Sequence, residues 1–425
     1  MIRYRTSLLF LFVTSLVAAQ QRTLSDYQTI AKQNTPIAQQ NTHLQKILLL
    51  QNDIIKAQYT APQTSFTADF LFAPFFFSHK KIVAITNSPD ANAIGYDAGI
   101  TNGGIYSAQW NISKNFFNQK TIQTLYNQNF SVNISIDLAT LQALHDIDKN
   151  VADQYVNVYQ AQQQIISLNK ITDIINERNR VVEQLVKKGL LPESDFLLLK
   201  IELKNQEASI EAQRLQITTA FAQLNNASNL RDTIIYTLDM PNIVQNPLTQ
   251  TYTYEARYAA DSLNFVMQQK VSELKYVPQF GIFGNGGINS TDIRNIYHNV
   301  GFSAGAHLII PLFDGHQKEK VAQQTALQIE NLKLSKNIFS TQLKTNLYYL
   351  TQQIKSIQKS LVLIDEQLQT QEILLKIIKE KIVLGQVSVM DYVISLQNYA
   401  LTNQSKIQTQ SALWLLINQY NYINW

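Results

Sequence analysis

Apolar and polar positions along this chain follow two different periods, and the two alternate in blocks. Between 343 and 382 the apolar positions step by four and three: Leu343, Leu347, Leu350, Ile354, Ile357, Leu361, Ile364, Leu368, then Leu375, Ile378 and Ile382, with Gln371 the one polar interruption. That spacing is the heptad seam of a coiled coil. A weaker equivalent runs through Leu168, Ile171, Ile175, Val182 and Leu185, interrupted by Arg178. The two helix-breaking residues avoid the same regions. No glycine lies between 104 and 189 or between 315 and 385, and no proline in 93–191 or 312–425. Long helices are therefore predicted over about 118–188 and 316–384, each about 100 Å long at 1.5 Å per residue. That is far longer than a globular domain needs and suits a helical tube or stalk.

Between these blocks the period drops to two. Phe66, Ala68, Phe70 and Phe72 alternate with Ser65, Thr67 and Asp69. Tyr106, Ala108, Trp110, Ile112 and Phe116 alternate with Ser107, Gln109, Asn111, Ser113 and Asn115. Phe302, Ala304, Ala306, Leu308, Ile310 and Leu312 alternate with Ser303, Gly305 and His307. A fourth segment from Gln279 is glycine-rich and its pattern is weaker. Strands are expected over about 63–77, 105–117, 279–290 and 299–313. Strands that are apolar on one side and polar on the other, each about ten residues long, are the signature of a membrane barrel around a wet lumen. An antiparallel sheet with one face buried in protein has the same period, so the period alone leaves both open. Gly284-Asn285-Gly286-Gly287 is superficially like a nucleotide loop, but within this block a bend or turn is expected there.

The second half repeats the first. Tyr106-Ser107-Ala108 matches Phe302-Ser303-Ala304, Phe116-Phe117 matches Leu312-Phe313, Gly189 matches Gly385, and Asp195-Phe196 matches Asp391-Tyr392, all at an offset of 196. Upstream, Ala61-Pro62-Gln63 matches Val277-Pro278-Gln279 at 216. The first strand pair thus has a connection twenty residues longer. Residues 78–104 carry the extra length, with Pro89 and four glycines, and read as an exposed loop. Each repeat is helix, strand, strand, long helix, tight turn, helix. The boundaries are 20–228 for the first repeat, 229–252 for a linker, and 253–425 for the second repeat. Two strand pairs give four strands, too few to close a barrel, and a barrel must close to lose its edges. Three copies would give twelve strands, although two or four copies would also close a sheet.

Composition narrows the class. Arg3 and Arg5, the apolar Ser7–Leu16 and the small Val17-Ala18-Ala19 form a secretory signal over 1–19, whereas a membrane anchor would need a longer apolar run. No later run reaches transmembrane-helix length, so any membrane crossing is expected to use strands. There is no cysteine, which excludes disulfides, thiolate metal sites and a lipid-modified N-terminal cysteine. A formal net charge of +4 gives no case for nucleic acid, which needs clustered Lys and Arg. No catalytic constellation stands out, and the six histidines at 43, 79, 145, 298, 307 and 316 lack metal-ligand spacing. No enzyme activity, cofactor or metal is expected.

The pattern resembles the TolC-like outer-membrane efflux family. The likeness is carried by Val277-Pro278-Gln279 at a strand start, by Val300-Gly301-Phe302 running to Ile310-Pro311-Leu312-Phe313-Asp314-Gly315 before a long helix, and by Gly385-Gln386-Val387-Ser388-Val389-Met390-Asp391-Tyr392 at a turn. It covers about 22–420. The resemblance implies a mainly helical chain in a homotrimer, with a twelve-stranded β-barrel in outer-membrane lipid and a periplasmic α-barrel. It also implies docking to a periplasmic adaptor (membrane fusion protein) and an inner-membrane transporter, in tripartite efflux or type I secretion, with 229–252 in an equatorial zone. By the same resemblance Asp391 lines the constricted periplasmic entrance, where three carboxylates would attract cations. Ser388-Val389-Met390-Asp391 equally reads as a capping-box variant, and both readings stand. Asp195 reads first as a cap, after Pro192-Glu193-Ser194. Gly189 and Gly385 are expected to end the long helices left-handed. Leu190, Leu191 and Val387 are expected to be exposed at these tips as adaptor contacts, or else to be ordinary tip packing. Val387 and Ile394 depart from the family's charged entrance positions, which argues against an ionic latch there. The rival reading is a cell-surface structural or adhesive coiled-coil protein. It accounts for the heptads and the signal, but not for paired strand blocks at a fixed offset.

Overall fold

A computed structural model of the 425-residue chain describes residues 22–86, 88–96, 104–249, 252–291 and 293–425. The signal segment 1–19 lies outside the described residues, as does part of the expected loop at 97–103. The elements in order are α1 (Leu24–Asn34), α2 (Ile37–Thr60), β1 (Gln63–Phe72), β2 (Phe75–Ser78), β3 (Lys81–Ala84), β4 (Gly104–Phe116), α3 (Gln119–Lys187), α4 (Glu193–Ala227), α5 (Thr253–Glu273), β5 (Gln279–Ser290), β6 (Val300–Ile309), α6 (Gln317–Val383) and α7 (Val389–Ile423). Short 3-10 turns occupy Leu274–Tyr276 and Ile293–His298.

The duplication is visible in the element ends. β1 and β5 begin 216 residues apart, as do α2 and α5. The starts of β4 and β6, the ends of α3 and α6, and both ends of α4 and α7 are offset by 196.

The chain divides into two compact units. The first comprises Met1–Ala38, Ala139–Thr253 and Asn337–Trp425. It is helical, and its seams are the heptad rows. Leu343, Leu347, Ile354, Leu361, Leu368, Ile378 and Ile382 are all buried, and so are Ile171, Ile175 and Val182. One apolar core joins Ile171, Ile175, Leu199, Ile382, Tyr392 and Leu396, bringing together α3, α4, α6 and α7. A second joins Tyr27 of α1, Val151, Tyr155 and Val158 of α3, Phe221 and Leu224 of α4, and Leu238. α1 starts on a capping box in which Thr23 Oγ1 accepts from the Asp26 N–H at 3.2 Å and the Asp26 carboxylate accepts the Thr23 N–H at 2.9 Å. These bonds hold the Asp26 carboxyl below its usual range.

The stretch after Ala227 has no helix or named strand through its last described residue, Thr249. It is held by side-chain amides. Asn225 Nδ2 donates to Asp232 O at 2.7 Å, and Asn424 Nδ2 donates to Pro247 O at 2.8 Å. Asn421 Oδ1 accepts from the Asn246 N–H at 2.8 Å. The abundant asparagine is thus used to pair linker backbone that forms no ladder.

The second unit comprises Gln39–Leu138 and Tyr254–Lys336. Its four-stranded antiparallel sheet has the order β1-β4-β5-β6. The β4–β5 pairing therefore joins the two repeats, and β1 and β6 are the edges. Three expectations need correction here. The segment expected as one strand over 63–77 breaks at Ala73-Pro74, because proline cannot donate to a ladder. The Gly284–Gly287 run makes no turn. It continues β5, each residue paired with both β4 and β6, and a side chain at Gly287 would run into the Ala108 carbonyl. Part of the segment read as a loop forms a separate two-stranded hairpin, β2–β3.

Candidate functional site

Two surfaces carry the candidate function, one in each unit, and they are built differently. In the sheet, the register sorts side chains onto opposite faces. One face carries Phe66 opposite Trp110, Phe70 opposite Tyr106, and Ala108 opposite Ile288. It continues through Phe280 opposite Leu308, Ile282 opposite Ala306, and Gly286 opposite Phe302. Phe70 and Tyr106 have ring centroids 5.1 Å apart, and Phe66 and Trp110 6.4 Å apart. Among the described residues this face is left uncovered: Trp110 is 61% exposed and Phe302 91%. The opposite face carries Ser65, Thr67, Asp69, Ser107, Gln109, Asn111, Asn285, Asn289, Ser303 and His307, with Phe283 as its aromatic exception. Its side chains bond across strands: Asn111 Nδ2 donates to Thr67 Oγ1 at 3.0 Å, and Ser303 Oγ to Asn285 Oδ1. Asp69 and His307 are the ionisable groups on this face among the described residues.

Every residue of β1 is exposed, and both edge strands are ten residues long without a further partner among the described residues. An uncovered apolar face of this size marks a surface that meets lipid or another chain. The open edges demand pairing. Among the described residues the apolar face stays exposed, unlike a sheet with one face buried in its own protein, which the sequence left open.

In the helical unit, the two inter-helix turns are near copies. α3 ends with Gly189 at φ 71°, with Leu190 N–H donating to Leu185 O and Gly189 N–H to Val186 O, both at 2.9 Å. α6 ends with Gly385 at φ 70°, with Gln386 N–H donating to Lys381 O at 3.1 Å and Gly385 N–H to Ile382 O at 3.0 Å. Both are Schellman closures, in which the left-handed residue lets two amides cap the last carbonyls. No atom lies within 4 Å of where a Cβ would sit at either glycine, so backbone conformation alone selects glycine there.

The starts of the following helices differ. Ser388 is the N-cap of α7: its Oγ accepts from the Asp391 N–H at 3.1 Å and its hydroxyl donates to Asp391 Oδ2 at 2.7 Å. The Asp391 carboxylate is exposed and thus takes part in the cap. At α4 the N-cap is Pro192, with no side-chain capping bond. Asp195 therefore does not cap as the sequence suggested. Proline offers no hydroxyl to pair with it, and Asp195 contributes only a negative charge in the first turn. Leu190 is 67% exposed, whereas Leu191 and Val387, also expected outside, pack against the apolar core that the turns share.

In the sequence Arg178 is only an interruption of the weaker heptad row. It is 2% exposed, and its guanidinium carbon lies 5.4 Å from the centroid of the Tyr392 ring. Burial raises the Tyr392 phenol above its ordinary range, and the Arg178 charge opposes that rise. The signal was present, since Arg178 stands on the seam between Ile175 and Val182 and had to point inward. Next to it, Glu177 accepts from Lys379 Nζ at 2.7 Å, tying α3 to α6 and holding the Glu177 carboxyl below its usual range. Glu202, also buried, accepts amide bonds from Gln206 and Gln397, each at 2.8 Å.

Among solved structures the chain is similar to the outer-membrane protein VceC of Vibrio cholerae, with 13% identity, 94% of this chain and 96% of that chain covered, and a TM-score of 0.65. It is similar to the CmeC outer-membrane channel of Campylobacter jejuni, with 13% identity, 94% and 85% covered, and a TM-score of 0.67. It is also similar to the open state of the MtrE outer-membrane channel of Neisseria gonorrhoeae, with 11% identity, 94% and 88% covered, and a TM-score of 0.64. No protein-family model and no curated protein matches the sequence. The chain has the TolC-like fold: long helices with a few antiparallel strands, the sheet of a single copy being open.

Proposed function

We propose that this chain is one subunit of a homotrimeric outer-membrane channel, a passive conduit that carries substrates from a periplasmic adaptor and an inner-membrane transporter to the exterior. The observation that carries the reading is the sheet. Among the described residues it is apolar on one face, with Lys114 near the end of β4 as the charged exception, polar on the other, and unpaired along both edges. Several copies joined edge to edge would turn the apolar face to lipid and the polar face to water, leaving no edge. Among the described residues no helix is long and apolar enough to cross a membrane. The strands are thus the part of the described chain that suits lipid, with the helices extending into the periplasm. The fold of the similar outer-membrane channels supports the same assignment. In this reading the turns at Gly189 and Gly385 face the adaptor, Leu190 is a contact point, and Asp391 lines the entrance.

The test is to purify the protein in detergent and insert it into planar lipid bilayers. Oligomers that resist heat in detergent and give stable single-channel conductance support the reading. A monomer that stays soluble without detergent and gives no conductance overturns it.

A further inference from the structure

The β2–β3 hairpin is not accounted for by the conduit. It begins with Phe75, separated by Ala73 and Pro74 from the end of β1 at Phe72, at the end of the sheet where β4 starts. Phe75 and Ala84 are paired and buried, whereas the pair Phe76 and Val83 is exposed. Around the turn, Phe77 is 64% and Ile82 73% exposed. The loop between Ser78 and Lys81 is the two residues His79 and Lys80, at φ 51° and 60°, and Phe77 is left-handed as well at φ 57°. Side chains of this size adopt that conformation rarely, so something must hold it. Asp90 does: its carboxylate accepts the His79 N–H, its own N–H donates to Ser78 Oγ at 3.0 Å, and it pairs with the His79 ring at 3.4 Å. The Phe76 and Ile94 backbones exchange bonds of 2.7 and 3.0 Å. The hairpin is therefore a tied element that presents apolar side chains outward. It also carries Lys80 and Lys81, which form no ion pair among the described residues, while Asp90, which ties the turn, is already engaged.

Apolar side chains flanked by unpaired lysines suit an anionic membrane surface: the rings enter the acyl boundary and the ammonium groups reach lipid phosphates. The polar strand face of a second copy of the chain would supply a single carboxylate, Asp69, among the described residues, too few to match both lysines. We propose that the β2–β3 hairpin is a lipid foot: Phe76, Phe77, Ile82 and Val83 enter the membrane beside the sheet, and Lys80 and Lys81 bind the phosphate of an anionic lipid. This rests on the sheet spanning a membrane, and continuity with the apolar face of β1 places the hairpin next to that lipid.

The experiment uses the full chain in proteoliposomes with brominated lipids, which quench tryptophan on contact. With Trp414 and Trp425 replaced by Phe, the native Trp110 reports the sheet face. In a second protein, Trp110→Phe combined with Phe77→Trp reports the hairpin, and Ile82→Trp serves as an independent probe there. Both sites are expected to be quenched. Brominated phosphatidylglycerol is expected to quench the hairpin probe several times more strongly than brominated phosphatidylcholine. That preference should fall about fivefold for each lysine replaced in Lys80→Ser and Lys81→Ser, with channel conductance retained. Quenching at Trp110 without quenching at either hairpin probe overturns the proposal and leaves the conduit standing. A hairpin probe that is blue-shifted but unquenched means that protein covers it, and also overturns the proposal. If neither site is quenched, the membrane reading falls and the foot with it.

Discussion

Asp391 has an observed role in a helix cap and a proposed one at the channel entrance, and substitution can separate them. Its carboxylate accepts the Ser388 hydroxyl at 2.7 Å; in the proposed trimer three such carboxylates would ring the entrance with negative charge. Ser388→Ala removes the cap and should destabilise the protein by about 1 kcal/mol, with ion selectivity unchanged. Asp391→Asn keeps a hydrogen-bond acceptor but loses the charge. It should reduce the cation-to-anion permeability ratio in bilayer recordings with little change in unfolding temperature. Unaltered selectivity would remove the pore role and leave only the cap. Deeper in the same bundle, the Tyr399 hydroxyl donates to Glu372 at 2.8 Å, and burial, followed by that bond, pushes its phenol up to about 12. An unfolded tyrosine ionises near pH 10. The stability from keeping Tyr399 neutral is therefore complete below about pH 10 and is lost as pH climbs from there to about 12. Denaturant unfolding across that window should lose about 2 kcal/mol more in the native protein than in Tyr399→Phe. Equal slopes would show that the phenol does not titrate with unfolding.

At the scale of elements, the two turns show how closely one sequence pattern fixes backbone. Gly385→Ala meets no steric neighbour, so its cost should be the left-handed conformation alone, about 1–2 kcal/mol, read as faster proteolysis at the α6–α7 turn. Wild-type cleavage kinetics would contradict the Schellman assignment. These turns were legible because glycine, helix length and the heptad row all pointed the same way. The long helices Gln119–Lys187 and Gln317–Val383 lie within stretches free of glycine and proline, and each ends two residues before a glycine, Gly189 or Gly385. The β2–β3 hairpin was not legible. Its strands are four residues each, too short for a period to register. Its turn uses His79 and Lys80 in place of the glycine or asparagine that announces such turns. The same limit explains Asp195: the two helix starts align at an offset of 196, but Pro192 replaces the hydroxyl that makes Ser388 a cap. Arg178 lay on a legible seam, yet nothing in the sequence named Tyr392 as the ring it would cover.

For the whole molecule, the proposed assembly treats one copy of the chain as a part: among the described residues its apolar sheet face is uncovered and both sheet edges lack a partner. Adjacent residues in the middle of β6 test this directly. Ala304 lies on the apolar face opposite Gly284, and Ser303 lies on the polar face opposite Asn285. A one-residue step along a strand moves a side chain from one face to the other. If the apolar face meets lipid, a lysine there near mid-strand costs about 2–4 kcal/mol of assembled stability, whereas a lysine facing the wet lumen costs little. Ala304→Lys should therefore sharply lower the yield of heat-resistant oligomer recovered from membranes. Ser303→Lys should assemble normally and shift selectivity towards anions. In a water-soluble protein the ranking would differ, because both positions are exposed in the single chain and both lysines would be tolerated alike. Equal yields from the two variants, or loss from Ser303→Lys alone, would mean that the apolar face does not lie against a membrane. The edges of β1 and β6 would then need another partner.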